Sequence, residues 1–197
     1  MSIALGLTLS RILLGPVFLL IYLYSEPLGI SKLWLPYILL LLAGMSELSD
    51  AFDGALARRH NKVTDLGKLL DPMADSIFRL SVFLSFVQGV IQLPLILVCV
   101  FFYRDMLMST LRTLCALRGF ALAARASGKI KAVIQAVVIF FIILMMIPYT
   151  LGCLEASLLR SVSFYGVLIA AIYTVYSGIE YVIANRGYIK KALGIMK

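Results

Sequence analysis

Six of the chain's ten acidic residues, Glu47, Asp50, Asp53, Asp65, Asp71 and Asp75, fall within residues 47–75, and long apolar runs flank that stretch on both sides. Ionisable groups at membrane depth are costly and usually mark a functional path or site. The hydrophobic fraction is 62% over 197 residues, well above the roughly 45–50% of soluble domains. The composition points to an all-α polytopic membrane protein, with a single domain over residues 1–197.

The spacing of the acids argues for one site. A helix over residues 38–58 places Asp50, Asp53, Gly54 and Ala57 on one face, because positions three and four apart are neighbours. Gly67, Asp71 and Asp75 step by four and share a face of the next helix. The short link 59–65 makes the two helices antiparallel neighbours, so four carboxylates converge across one seam. Unpaired, they repel one another, and a divalent cation removes the repulsion. Oxygen ligands without Cys or His favour Mg²⁺ or Mn²⁺ over Zn²⁺. Gly54, Ala57 and Gly67 permit close approach to the backbone, and Arg58 is suited to clamp a phosphate with two parallel hydrogen bonds.

Six membrane-crossing helices are predicted, over residues 5–24, 33–60, 65–91, 95–117, 132–148 and 158–184. The first is too long in its apolar part for a signal peptide, lacks a small-residue cleavage site and is interrupted by Arg11. The basic tail 185–197 is partly amphipathic and suits the membrane surface. One side collects Arg11, Arg58, Arg59, Lys62, Lys68, Arg118, Arg125, Lys129, Lys131, Arg186, Lys190, Lys191 and Lys197, and the other only Lys32 and Arg160. The termini and the acidic stretch are therefore expected on the cytoplasmic side. The net charge of +8 is spread through short loops, which reads as topology and lipid-headgroup contact and not as a nucleic-acid face.

The fourth predicted helix contains Arg104 and Arg112, eight apart and roughly on one face, and charges inside such a helix are expected to point inward. Arg104 is placed to pair with an acid such as Glu180, and Arg79, four residues after Asp75, to pair with that aspartate. Lys129 and Lys131 fall in a basic loop, 118–131, where a topological role is equally open to them. Cys99, Cys115 and Cys153 show neither zinc nor disulfide spacing, and His60 reads as a solvated loop residue.

The pattern D-x2-D-G-x2-A-R-x8-G-x3-D-x3-D, carried by Asp50, Asp53, Gly54, Ala57, Arg58, Gly67, Asp71 and Asp75, resembles the signature of the CDP-alcohol phosphotransferases without a slip in spacing. The resemblance implies Asp50, Asp53 and Asp71 as metal ligands and Asp75 as general base that also touches a second metal. Asp50 and Asp71 would bridge two Mg²⁺ (or Mn²⁺) ions. Gly54, Ala57, Arg58, Thr64 and Gly67 would form the CDP-lipid pocket. It further implies a homodimer among membrane lipids. The reaction would be attack of a hydroxyl on the β-phosphorus of a CDP-linked lipid, with CMP leaving.

Beyond the signature, residues 8–20, 104–112 and 127–135 resemble the phosphatidylglycerophosphate-forming branch of that family, a likeness that fades after Gln135. That branch implies CDP-diacylglycerol and glycerol 3-phosphate as substrates at a cell inner or plasma membrane. Arg104, Arg112, Lys129 and Lys131 are the cations available for the acceptor's phosphate. Ser76 replaces the branch's usual Lys, and Ser2-Ile3-Ala4 its usual entry, which leaves inositol phosphate, serine and choline-type acceptors open. Two rival classes predict different features. A transporter would show inverted repeats and broken helices, and no such repeat is visible. A structural scaffold with a divalent-ion site gives no reason for Gly, Ala and Arg at these offsets from the acids.

Overall fold

The first helix, α1 (Ile3–Leu23), shows how the sequence sets the packing. Its buried positions are Thr8, Arg11, Gly15, Phe18 and Tyr22, alternating steps of three and four that draw one stripe along a helix. That stripe faces α2 (Leu35–His60) and α3 (Asp65–Ser85). On α2 the matching stripe is Leu35, Leu39, Ala43 and Ser46, and on α3 it is Ala74, Phe78, Val82 and Ser85. The seam between α1 and α3 is close: a Cβ at Gly15 would lie 3.3 Å from Phe78 Cα and 2.9 Å from Ser81 Oγ. Phe18 then packs edge-on against Phe78 and Phe86, with ring centroids 6.1 and 6.3 Å apart. Arg11 meets Asp75 at one end of this seam and Tyr22 donates to the Gln88 carbonyl at the other, so α1 and α3 run parallel.

The remaining helices are α4 (Leu95–Leu117), α5 (Ala126–Thr150), α6 (Ala156–Ala184) and the short α7 (Arg186–Ala192). This computed structural model describes residues 3–60, 65–119 and 125–192; the side chains of 3–5, 7, 51, 53–60, 65–71 and 192 fall outside the description. Among the described residues every regular element is helical. Packing divides the chain into two units, Met1–Leu93 with Ile139–Ser163, and Pro94–Val138 with Phe164–Lys197. In the second unit α7 packs on α4, Ile189 against Cys115, Leu111 and Leu114.

Two predicted boundaries shift by six residues each. The third helix ends at Ser85, not 91, because the chain turns through Gly89 in a left-handed conformation beneath the Tyr22 ring. The fifth begins at Ala126, six residues early, so Lys129 and Lys131 are helical and not in a loop.

The distribution of side chains is that of a membrane protein. Leu13, Leu20, Leu41, Ile96, Val137, Ile169 and Ile172 point outward and are more than half exposed, while Thr8, Arg11, Ser49, Ser85, Lys131, Gln135, Thr174 and Ser177 are buried. Soluble monomers rarely expose apolar surface on this scale, whereas lipid-exposed helices turn their few polar groups toward one another. Among the described residues α5 and α6 are long and apolar enough to cross a bilayer.

Candidate active site: an acidic seam and a cationic cluster

In the first unit, α1 delivers Arg11, the C-terminal half of α2 delivers Asp50, and α3 delivers Asp75. Arg11 Nη1 donates to Asp50 Oδ1 at 2.6 Å and to Asp75 Oδ1 at 2.5 Å. Asp75 Oδ2 lies 3.9 Å from Arg79 Nη2 one turn on, the pairing expected from the sequence. The Arg11 side chain is fully buried, while those of Asp50 and Asp75 keep 47% and 25% exposure. Both carboxylates therefore present an open side while the arginine closes the floor beneath them.

The α2 register places Asp50, Asp53, Gly54 and Ala57 on one helix face, and the α3 register does the same for Gly67, Asp71 and Asp75. The side chains of Asp53, Ala57, Arg58 and Asp71, with Gly54 and Gly67, lie outside the described set, as does Thr64 altogether. Among the described residues no three acidic, His or Cys side chains gather in one place. The residues in view nonetheless fit a hard cation. Their donors are all oxygen, and the place between Asp50 and Asp75 already holds positive charge, the Arg11 guanidinium.

The second unit carries the opposite arrangement. Asp105 Oδ1 accepts from Arg104 Nη1 at 3.0 Å and from Lys131 Nζ at 2.7 Å. Arg104 Nη2 also donates to Ser177 Oγ at 2.8 Å. Space for the arginine comes from Gly178: a Cβ there would lie 3.3 Å from Arg104 Cγ. One turn further along α5 and α6, Gln135 Nε2 donates to Thr174 Oγ1 at 3.3 Å. At the rim Arg125 Nε pairs with Glu180 Oε1 at 2.6 Å, and Ser127 donates to the same carboxylate.

Of the four cations expected at the acceptor, the structure joins Arg104 and Lys131 and sets the others apart. Lys129 is exposed. Arg112 is also exposed and lies over the Tyr181 ring, 5.7 Å from its centroid. The expectation that Arg112 points inward with Arg104 is corrected here: eight residues at 3.6 per turn leave the two about 80° apart around the axis. Glu180 is likewise not the partner of Arg104, because Asp105 is adjacent and Arg125 has taken Glu180.

Sequence reasoning passed over Arg11, Asp105, Gln135, Thr174 and Ser177. A signal existed for two of them, Arg11 and Gln135. Arg11 falls on the Thr8–Gly15–Phe18 stripe, and Ser127, Lys131 and Gln135 repeat every four residues on an otherwise apolar helix.

The chain belongs to the CDP-alcohol phosphatidyltransferase family, whose model matches residues 1–183. It is therefore a phosphatidyltransferase of a membrane-bound family that depends in general on a divalent metal. Among its relatives is the CDP-diacylglycerol–glycerol-3-phosphate 3-phosphatidyltransferase of Bacillus subtilis (strain 168), 31% identical over 185 residues, covering 91% of this chain and 92% of the relative. The protein of the same name from Rickettsia typhi is 31% identical over 140 residues, 70% of this chain and 74% of that one. That of Escherichia coli K12 is 38% identical over 71 residues, 36% of each chain.

Proposed function

We propose that this chain transfers the phosphatidyl group of CDP-diacylglycerol to sn-glycerol 3-phosphate, giving phosphatidylglycerophosphate and CMP. The observation that carries the reading is the meeting of Asp50 and Asp75, from two helices of the signature, on one cationic atom. The name of a relative that matches this chain nearly end to end supports the choice of substrates.

In this reading the acceptor's hydroxyl oxygen attacks the β-phosphorus, its bond to the CMP oxygen breaks, and the hydroxyl proton passes to an Asp75 oxygen. Phosphoryl transfer needs little covalent help, so positioning and electrostatics dominate. Asp50, Asp53, Asp71 and Asp75 would hold divalent cations, two Mg²⁺ with Mn²⁺ as substitute, which supply positive charge to phosphoryl oxygens. Gly54, Ala57, Arg58, Thr64 and Gly67 would receive the CDP moiety. Glycerol 3-phosphate is a dianion, and the buried pair Arg104 and Lys131 offers it positive charge in excess of Asp105. Lys129 and the exposed Arg112 would add to the field at longer range.

The placement read from the basic residues completes the proposal: one domain of six membrane-spanning helices in the inner membrane, with termini and active site on the cytoplasmic side, assembled as a homodimer. The decisive experiment supplies purified protein with CDP-diacylglycerol, Mg²⁺ and a panel of radiolabelled acceptors. Label from glycerol 3-phosphate entering lipid, with equimolar CMP, is the expected result. Label entering from inositol phosphate, serine or choline instead would reassign the acceptor, and no CMP with any acceptor would overturn the reaction.

A further inference from the structure

Arg11 lies outside the signature that spans Asp50 to Asp75, yet it makes the closest contacts to both of its described carboxylates. Those partners are 39 and 64 residues away, so tertiary packing and not local helix geometry delivers the contact. The packing is firm. One turn beyond Arg11, Gly15 lets α1 approach the Phe78 backbone, and Phe18 and Tyr22 continue the same stripe. A buried guanidinium needs an anion beside it, and two neighbouring carboxylates need a cation between them. One contact resolves both demands.

We propose that Arg11 is a positioning residue for the reaction, a built-in counter-cation that holds Asp50 and Asp75 at one nitrogen and competes with a divalent cation for them. The inference rests on the reading of those aspartates as metal ligands. Competition follows from the atoms involved. Arg11 Nη1 takes the Oδ1 oxygen of each carboxylate, and Mg²⁺ requires such oxygens at about 2.0–2.1 Å. A guanidinium nitrogen and an ion cannot both occupy the space between the same two oxygens. Arg11 thus gathers the carboxylates ahead of the ion and sets how much ion is needed to claim them. It also explains why an arginine is buried on the one face of α1 that meets both α2 and α3.

The test uses the full-length protein in detergent, with Mn²⁺ as the probe read by electron paramagnetic resonance, and thermal unfolding with and without Mn²⁺. Arg11→Met is expected to unfold well below the native protein without Mn²⁺ and to recover most of the difference with it. Because coupling between two sites is reciprocal, the variant then binds Mn²⁺ more tightly, by on the order of tenfold. An arginine that merely pins α1 would produce the same loss of stability in both conditions and unchanged Mn²⁺ affinity; that result, or weaker binding, overturns the proposal. Should Arg11→Met fail to fold, Arg11→Lys decides. Its more strongly hydrated ammonium competes less well from a buried position, so tighter Mn²⁺ binding than native supports competition and equal or weaker binding refutes it. Native protein that binds no Mn²⁺ overturns the metal reading together with this one, whereas native binding unchanged by either variant overturns this one alone.

Discussion

The acidic seam of the first unit and the cationic cluster of the second follow one plan with opposite signs. In the first, one cation, Arg11, bridges two carboxylates; in the second, one carboxylate, Asp105, bridges two cations. The first centre has a second cation at its edge, Arg79, one turn from Asp75 and 3.9 Å from its other carboxylate oxygen. Burial explains the plan. Two like charges out of water are tolerated only with an opposite charge between them. The centres also differ in openness: the carboxylates Asp50 and Asp75 remain partly exposed, whereas Arg104, Asp105 and Lys131 are each about nine-tenths covered.

The largest expected effect breaks the acidic centre without dismantling it. In Asp75→Asn the amide oxygen still accepts from Arg11, so the fold and CDP-lipid binding persist. The group that takes the hydroxyl proton is gone, and transfer should fall by about 10²–10⁴-fold, the usual share of a general base. CMP release measured at saturating substrates checks this, and near-native release would remove Asp75 from the role of base.

The corresponding change in the cationic centre is Asp105→Asn. It leaves Arg104 and Lys131 facing each other, and loss of one partner from a buried charge network costs about 3–5 kcal/mol. Glycerol 3-phosphate should then raise the unfolding temperature of the variant more than that of the native protein, since the dianion replaces the missing charge. Equal shifts would mean that this cluster is structural only and that the parallel between the two centres fails at its functional end.

A smaller effect probes the frame that holds the acidic centre. Gly15→Ala places a methyl group 3.3 Å from the Phe78 backbone and against Ser81, where overpacking costs about 1–3 kcal/mol. Gly44→Ala is the control. Nothing lies within 4 Å of that position on α2, so the substitution should stabilise the helix by up to about 1 kcal/mol. Thermal unfolding of both variants separates seam packing from helix propensity, and a Gly15→Ala protein as stable as the control would sink the account of the α1–α3 seam.

Much of this architecture was legible from residue order, and the failures have physical causes. The fourth helix was bounded correctly at Leu95 and Leu117 because Pro94 opens it and Gly119 closes the turn after it. The meeting of Asp50 with Asp75 followed from steps of three and four on two helices joined by a short link. In sequence Arg11 reads as a topological charge because a lone arginine in an apolar run carries no mark of its partner; only the stripe it shares with Gly15 and Phe18 turns it inward. Lys131 reads as a loop residue because basic residues cluster before it, although Gln135 one turn later continues the same buried face. The sides of Arg104 and Arg112 were confused because a step of eight looks regular in sequence while it drifts around the helix.

The smallest effect tests whether the rim of the cationic centre belongs to it. Arg125 and Glu180 make a 2.6 Å contact, as short as that of Arg11 with Asp50, but the Arg125 side chain is 44% exposed. Distance alone would rank the two pairs as equals. Solvent decides otherwise, because an exposed pair gains little over its hydration and is screened by salt. Arg125→Gln should therefore cost no more than about 1 kcal/mol at low ionic strength, and the cost should vanish in concentrated salt. Lys131→Gln, which removes the buried partner of Asp105, should keep its full cost at every salt concentration. Unfolding temperatures of the two variants across a salt series make the comparison. If both respond alike to salt, burial does not divide the rim from the centre, and Glu180 with Arg125 must be counted among the groups that set its charge.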